Sequence, residues 1–367
     1  MKRLNVLLAA VLLGCAALSP AASASQETIG LSMAAKPTAG PLYKEVHRPI
    51  SASLTVTVTA PPASPKVTPI KVANVTFPRD MDFFPDSGRT PACPDSKLNE
   101  QTNLAAGIQA IVALCPDSVV GTGDAKVKLA KLNQPVADVT DPQLVVFNAG
   151  RNQSGRPRIL IYGYSKTVNT GLLMRGTLAR DGQLRIEIGV LPADSAISEF
   201  TLGIPGEPLG DVKGLDPEYL RAKCSTGTWR ATGAFVLGER ADPSGTPIGP
   251  DTLLSSNPFE MSCKGRAGAP RIAIARVSGP DRVRPNRKTT FRVKIRNSGF
   301  ATARGVKLKV RGALSGTRLV GSVPPQGSRT VKVRATSASR RGKRKATFLV
   351  TANNSVRKES VRKIRVG

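Results

Sequence analysis

Few groups in this chain could carry chemistry. There is one histidine, His47, and beyond Cys15 there are four cysteines, Cys93, Cys115, Cys224 and Cys263. A Ser-His-Asp or Cys-His site would have to recruit His47, which lies far in sequence from any strand-to-helix turn that could present a nucleophile. His47 reads instead as a solvated linker residue. Asp80, Asp82 and Asp86 are the densest carboxylates. Asp-x-Asp can begin a calcium loop, but the turn glycine and bidentate glutamate of such a loop do not follow, so the group reads as a solvated acidic turn. Gly121-Thr122-Gly123-Asp124 lacks the lysine and spacing of a phosphate loop and also reads as a turn. Paired carboxylates acting on sugars need aromatic platforms, and aromatics are 4% of the chain with one tryptophan, Trp229. The expectation is a protein with no catalytic constellation, no cofactor and no metal site.

The concentrated chemistry is charge. Residues 271–367 hold 27 Lys and Arg against two acids, Asp281 and Glu359, and so carry +25 of the formal +29. Such a module favours anionic partners through counterion release and steering. Its cations alternate with apolar residues: Arg292, Lys294 and Arg296 with Phe291, Val293 and Ile295, and Lys307 and Lys309 with Val306, Leu308 and Val310. Lys332 and Arg334 alternate likewise with Val331 and Val333, and Lys363 and Arg365 with Ile364 and Val366. A period of two sends the apolar set into a core and the cations outward. Arg292, Lys294, Arg296, Lys307, Lys309, Lys332 and Arg334 are therefore the expected contact surface for anionic cell-wall or matrix polymer. The bland reading of the same charges is a solubilising surface. Phosphate contact alone would admit nucleic acid without sequence specificity; Phe291 and Phe348 fall in runs that should be buried, which leaves no stacking platform. Residues 340–345, five basic in six, read as a basic hairpin tip.

The N-terminus bears on the setting. Lys2 and Arg3, an apolar run over 4–13, then Pro20 and Ala22-Ser23-Ala24 read as a secretory signal peptide. Leu12-Leu13-Gly14-Cys15 offers the alternative of a lipoprotein anchored at Cys15. No other run reaches the ~18 apolar residues of a membrane span. The expected location is secreted or cell-surface, where a second surface protein is a further partner, and there four cysteines read as two disulfides among three pairings. Neighbour pairing, Cys93 with Cys115 and Cys224 with Cys263, is preferred because each pair brackets one segment. A zinc site from the same four lacks short Cys-x-x-Cys spacings.

The elements that must position these groups are strands. Residues 25–48 show little periodicity and read as a linker. Leu54, Val56 and Val58 then alternate with threonines, and further strands are predicted over 70–77, 125–132, 143–148, 158–164, 171–178, 184–190, 197–204 and 228–237. One helix is predicted from Leu104, Ile108, Ile111 and Val112. Trp229, five residues past Cys224, reads as a core residue packed on a disulfide. Residues 264–270, rich in Gly and Ala, read as an exposed linker between domains. Behind it, six or seven strands in fewer than about 100 residues match an immunoglobulin-like sandwich. The fold class is all-β: a disulfide-stapled sandwich over 49–263 with one short helix, then a cationic sandwich over 271–367.

The second module is specific enough to carry a resemblance. The run from Phe291 through Asn297-Ser298-Gly299 to Val306, followed by Val323-Pro324-Pro325-Gln326-Gly327-Ser328, resembles the bacterial cell-adhesion-related (CARDB-like) domain. That resemblance implies a seven-stranded sandwich in a surface or secreted setting and supplies no ligand residues. The first module, with Phe77-Pro78, Cys115-Pro116 and Lys223-Cys224, weakly resembles uncharacterised secreted proteins of high-GC Gram-positive bacteria. The expected function is non-catalytic envelope or matrix association. The alternative is an extracellular enzyme within residues 50–266 carried by a C-terminal anchor.

Overall fold

The computed structural model describes residues 27–60, 67–86, 88–99, 107–129, 137–179, 182–189, 195–209, 215–241, 244 and 246–367. Residues 1–24, read as a leader, and the helix position Leu104 lie outside them. The chain is all-β, with a 15-stranded sheet and an 8-stranded sheet among the described residues.

In the first module Gln143–Arg151, Pro157–Ser165, Thr170–Leu178 and Gln183–Glu187 form an antiparallel meander, continued by Ile70–Thr76 and Thr228–Arg240. On the other side of Gln143–Arg151 follow Val119–Leu129, Ser195–Ile204 and Arg48–Thr59. One face of this sheet encloses Leu54, Val56, Val75, Val146, Ile161 and Phe235. The opposite face of its middle strands presents Val145, Phe147, Leu160 and Tyr162 to Ile108, Ile111 and Val112 of the helix Ile108–Leu114. Strands covered on both faces must be apolar at successive positions, which is why 144–147 and 159–162 are unbroken apolar runs.

The Cys93–Cys115 disulfide ties that covering segment, and Arg158 pins its first turn, Asp95–Asn99, through two bonds of 2.7 and 2.8 Å to the Asp95 carboxylate. The second disulfide joins Cys224 and Cys263, as expected. Trp229 is buried in the same core and its Nε1 donates to the Lys223 carbonyl at 3.0 Å.

Of the expected linker 25–48, the described part from residue 27 is not a linker. Thr28–Pro37 pairs along its whole length with Arg48–Thr59, from Thr28 opposite Thr59 to Pro37 opposite Ile50. Ile29 and Met33 are buried and Leu31 and Ala35 half-buried, but Gly30, Ser32 and Ala34 between them are small, so the alternation has little contrast in sequence. Gly121 and Gly123 are not in a turn but inside the strand Val119–Leu129. A side chain on Gly123 would begin 1.9 Å from the Thr201 carbonyl oxygen, so the glycines allow close approach of the neighbouring strand.

The second module is the expected sandwich. Ile272–Ser278, Lys288–Asn297 and Ser328–Ser337 make one sheet; Ala303–Gly312, Gly342–Ala352 and Ser355–Val366 make the other. Leu314–Val323 pairs with both, and the two-residue strand Arg282–Val283 runs parallel to the last strand, giving eight strands where seven were expected. Phe291, Val293, Ile295, Leu308, Val310, Phe348 and Val350 are buried between the sheets, with Phe291 and Phe348 edge to face at 5.6 Å. The basic run 340–345 is not a hairpin tip: Arg340 and Arg341 end the crossing from one sheet to the other, and residues 342–345 already pair within the strand Gly342–Ala352.

Asn297 of the Asn-Ser-Gly motif is fully buried, and all its polar atoms are used. Its Oδ1 accepts from the N–H groups of Arg271 and Gly299 at 2.9 and 3.0 Å, and its Nδ2 donates to the carbonyls of Ala301 and Val323 at 2.8 and 3.1 Å. One side chain thus closes the corner where three backbone segments meet: its own turn, the start of the module's first strand at Arg271 and the end of Leu314–Val323.

Residues 264–270 are not a free linker either. The Arg266 N–H donates to Leu42, the Lys44 N–H to Arg266, and the Phe300 N–H to Ala269. Tyr43 stacks on Phe300 with ring centroids 4.3 Å apart, and the Glu45 carboxylate accepts from both the N–H and the hydroxyl of Thr302. Small residues are needed here because Gly268 lies against Phe300; a side chain on it would begin 2.4 Å from the Phe300 carbonyl oxygen.

Two outcomes follow. Asn297→Ala would leave two N–H and two carbonyl groups buried without partners and should cost the C-terminal sandwich about 2–4 kcal/mol in chemical denaturation; a loss below about 1 kcal/mol would show that the corner is held otherwise. Limited trypsin digestion should spare Lys264 and Arg266 in the wild type and cut there faster in Tyr43→Ala, because the ring stack and strand contacts close the junction. Immediate cleavage of the wild type at those sites would contradict the packed junction.

Candidate functional site

The site is built from the outer face of the sheet Ile272–Ser278, Lys288–Asn297 and Ser328–Ser337. Apolar residues of each strand go inward, which leaves the intervening positions on one surface. Register places Arg292 opposite Lys332 on one side and Ser278 on the other. Lys294 faces Arg276 and Thr330, Arg334 faces Thr290, and Arg296 faces Ser328. All six cations are exposed, as is Lys288 at the first position of Lys288–Asn297, opposite Thr336; between them lie Ala273 and hydroxyl side chains.

No acid shares this surface. Of the two in the module, Asp281 is bound by Arg362 at 2.6 Å and Glu359 belongs to the opposite sheet. The side chains of Arg292, Lys294, Arg296, Lys332 and Arg334 make no hydrogen bond or ion pair among the described residues. Cross-strand neighbours of like charge are destabilising, typically by some tenths of a kcal/mol each. The pair Arg292 and Lys332 is therefore held in place by the fold against its own repulsion.

Part of the face is concave. Arg292, Lys332, Arg334 and Arg318 surround a depression of about 810 Å³, floored at its edges by Ser278, Gly279, Thr290 and Thr317. Arg318 was missed in sequence. It lies on Leu314–Val323, where Gly316 and Gly321 dilute the alternation and the strand crosses from one sheet to the other.

The seven residues expected to act together are divided. Five share the face just described, while Lys307 and Lys309 project from the opposite sheet, where Lys307 is paired in register with the exposed Leu319. The sequence pattern gives inside against outside but does not say which of two outsides a strand faces.

The other candidates resolve separately. Asp80 is buried, not solvated; its carboxylate accepts from the Ser225 N–H at 2.6 Å and hydroxyl at 2.8 Å. Asp82 accepts from the Phe83 N–H, and Asp86 pairs with Arg151. Three carboxylates with three different partners do not converge, and among the described residues no three His, Cys, Asp or Glu side chains cluster as a metal site needs. His47 is half-buried rather than solvated, set edge-on to Phe84 at 6.2 Å. Burial pushes its pKa below the usual imidazole value, and the Lys223 ammonium adds to that. The first module also has an open cleft of about 520 Å³ that includes Lys36, Thr122, Asp124 and Glu207; the Thr122 hydroxyl there already donates to the Glu207 carbonyl at 2.7 Å.

No protein-family model matches the chain, and no curated protein matches it. Among solved structures, red sea bream transglutaminase aligns at 12% identity with a TM-score of 0.24, covering 92% of this chain and 31% of that one. The chain thus spans under a third of that protein, and a likeness this low carries no argument about fold or activity.

Proposed function

We propose that this is an exported, non-catalytic protein of the cell envelope or extracellular matrix, whose C-terminal sandwich holds an anionic polymer on the face of Arg292, Lys294, Arg296, Lys332 and Arg334. The observation that carries the reading is the cross-strand row of cations with no acid in reach. Two disulfides fit an oxidising compartment, and among the described residues no helix is long and apolar enough to cross a membrane.

The geometry suits a repeating anion better than a single one. Alternate residues on a strand are about 7 Å apart and neighbouring strands about 4.8 Å, so the cations form a grid rather than a point. A chain of phosphates or carboxylates laid along Arg292, Lys294 and Arg296 would meet a cation at each step. Each exposed contact contributes only about 0.2–1 kcal/mol, so affinity has to come from number.

The test is binding of the full chain to purified anionic wall polymer across a salt series. Affinity should fall steeply as salt rises, because each neutralised charge releases a counterion. Replacing Arg292, Lys294 and Arg296 together by Gln keeps the buried Phe291, Val293 and Ile295 and should weaken binding about 10-fold or more at low salt. Lys307→Gln with Lys309→Gln should weaken it far less. Equal binding by the triple variant and wild type, or no binding at low ionic strength, would return these charges to mere solubilisation.

A further inference from the structure

The first module holds a second feature that the cationic face does not use. Where Val119–Leu129, Gln143–Arg151, Pro157–Ser165, Thr170–Leu178 and Ser195–Ile204 end together, the apolar core opens into a cavity of about 310 Å³. Val127, Val139, Leu144, Leu172, Met174 and Ile197 line it. Its floor is core: Leu144, Met174 and Ile197 are buried, and with Ala125 they also border a small internal void beneath. Its rim is not. Val127 and Leu172 are only half-buried and Val168 is 42% exposed, so apolar surface is left facing water with nothing of the described chain upon it.

Three observations define what fits. No described lining residue carries a charge, and a charged group placed there would lose its hydration without a partner. Two of the rim hydroxyls are already engaged: Ser165 donates to the Asp141 carboxylate at 2.8 Å and Thr170 to the Val168 carbonyl at 3.1 Å. Finally, the sequence keeps the space open. Gly163 stands in the wall opposite Leu144 in register, and a side chain there would begin 3.1 Å from Leu144 Cδ2 and 3.8 Å from Met174 Cε.

We infer that this cavity is a binding site for an uncharged apolar molecule, held by burial rather than by polar contacts. Its volume is about twice the roughly 150 Å³ of an apolar cavity that takes benzene, so the occupant is of the size of two fused rings or of a medium alkyl chain. It also meets the lower end of the roughly 300–1,000 Å³ range of small-molecule pockets. The site is independent of the polyanion face, and each can fail without the other.

The test uses the full chain and the uncharged dye N-phenyl-1-naphthylamine, whose fluorescence rises on entering an apolar site. Saturable one-to-one enhancement is expected in the wild type. Val127→Trp, which fills the cavity from its rim, and Leu172→Glu, which puts a charge at the mouth, should each weaken it at least about 10-fold with the melting temperature held within a few degrees. If Leu172→Glu fails to fold, Val127→Trp alone decides. Competition with 1-decanol or with naphthalene tells an alkyl occupant from a ring, and either result supports the site. Absence of saturable enhancement, or equal enhancement in a folded Val127→Trp, would overturn it.

Discussion

Arg292 and Lys332 face each other across two hydrogen-bonded strands with no acid to separate them, and the C-terminal module is organised around that repulsion. Each such pair costs some tenths of a kcal/mol, whereas each aliphatic or aromatic side chain fully buried between the sheets contributes about 1.5–3 kcal/mol. The core therefore wins on Lys288–Asn297, where alternation is strict: Phe291, Val293 and Ile295 are all fully buried beneath the exposed Arg292, Lys294 and Arg296. A surface of this kind is stable but electrostatically unsatisfied. A polyanion relieves it without any change in the fold, which is the physical link between the sandwich and the proposed adhesion.

The first module solves a different problem. Its middle strands are apolar on both faces, so the sheet needs a lid, and the segment tied by Cys93–Cys115 supplies one with Ile108, Ile111 and Val112. On the other face of the same sheet the enclosed core opens at the strand ends into the apolar cavity. The two modules meet through Tyr43 on Phe300 and Glu45 on Thr302, so the cationic face is presented from a packed junction rather than on a loose tether.

Much of this was legible in sequence wherever the side-chain contrast between neighbours was large. Phe-Arg-Val-Lys-Ile-Arg can only be a strand with one wet face, and the cysteines bracket compact segments that the fold does staple. Where contrast was low, the reading failed. Ile29 to Ala35 alternates with glycine, serine and alanine, so a full-length strand passed for a linker. Gly121 and Gly123 signalled a turn because glycine usually does, although here it admits a neighbouring backbone. The small residues of 264–270 passed for a flexible tether for the same reason, when Gly268 in fact makes room for Phe300. Which sheet a strand joins is set by contacts distant in sequence, so Lys307 and Lys309 were grouped with residues on the other side of the sandwich, and Arg318 was left out.

The cationic face is held by the fold against its own repulsion. The melting temperature of the C-terminal module, followed in the full chain from low to physiological ionic strength, measures that directly. Screening should raise it, and Arg292→Glu, which gives Lys332 an opposite charge across the strands, should raise the low-salt value and flatten the salt dependence. A wild-type melting temperature that is flat or falls with added salt, or an Arg292→Glu variant less stable than wild type at low salt, would contradict the account.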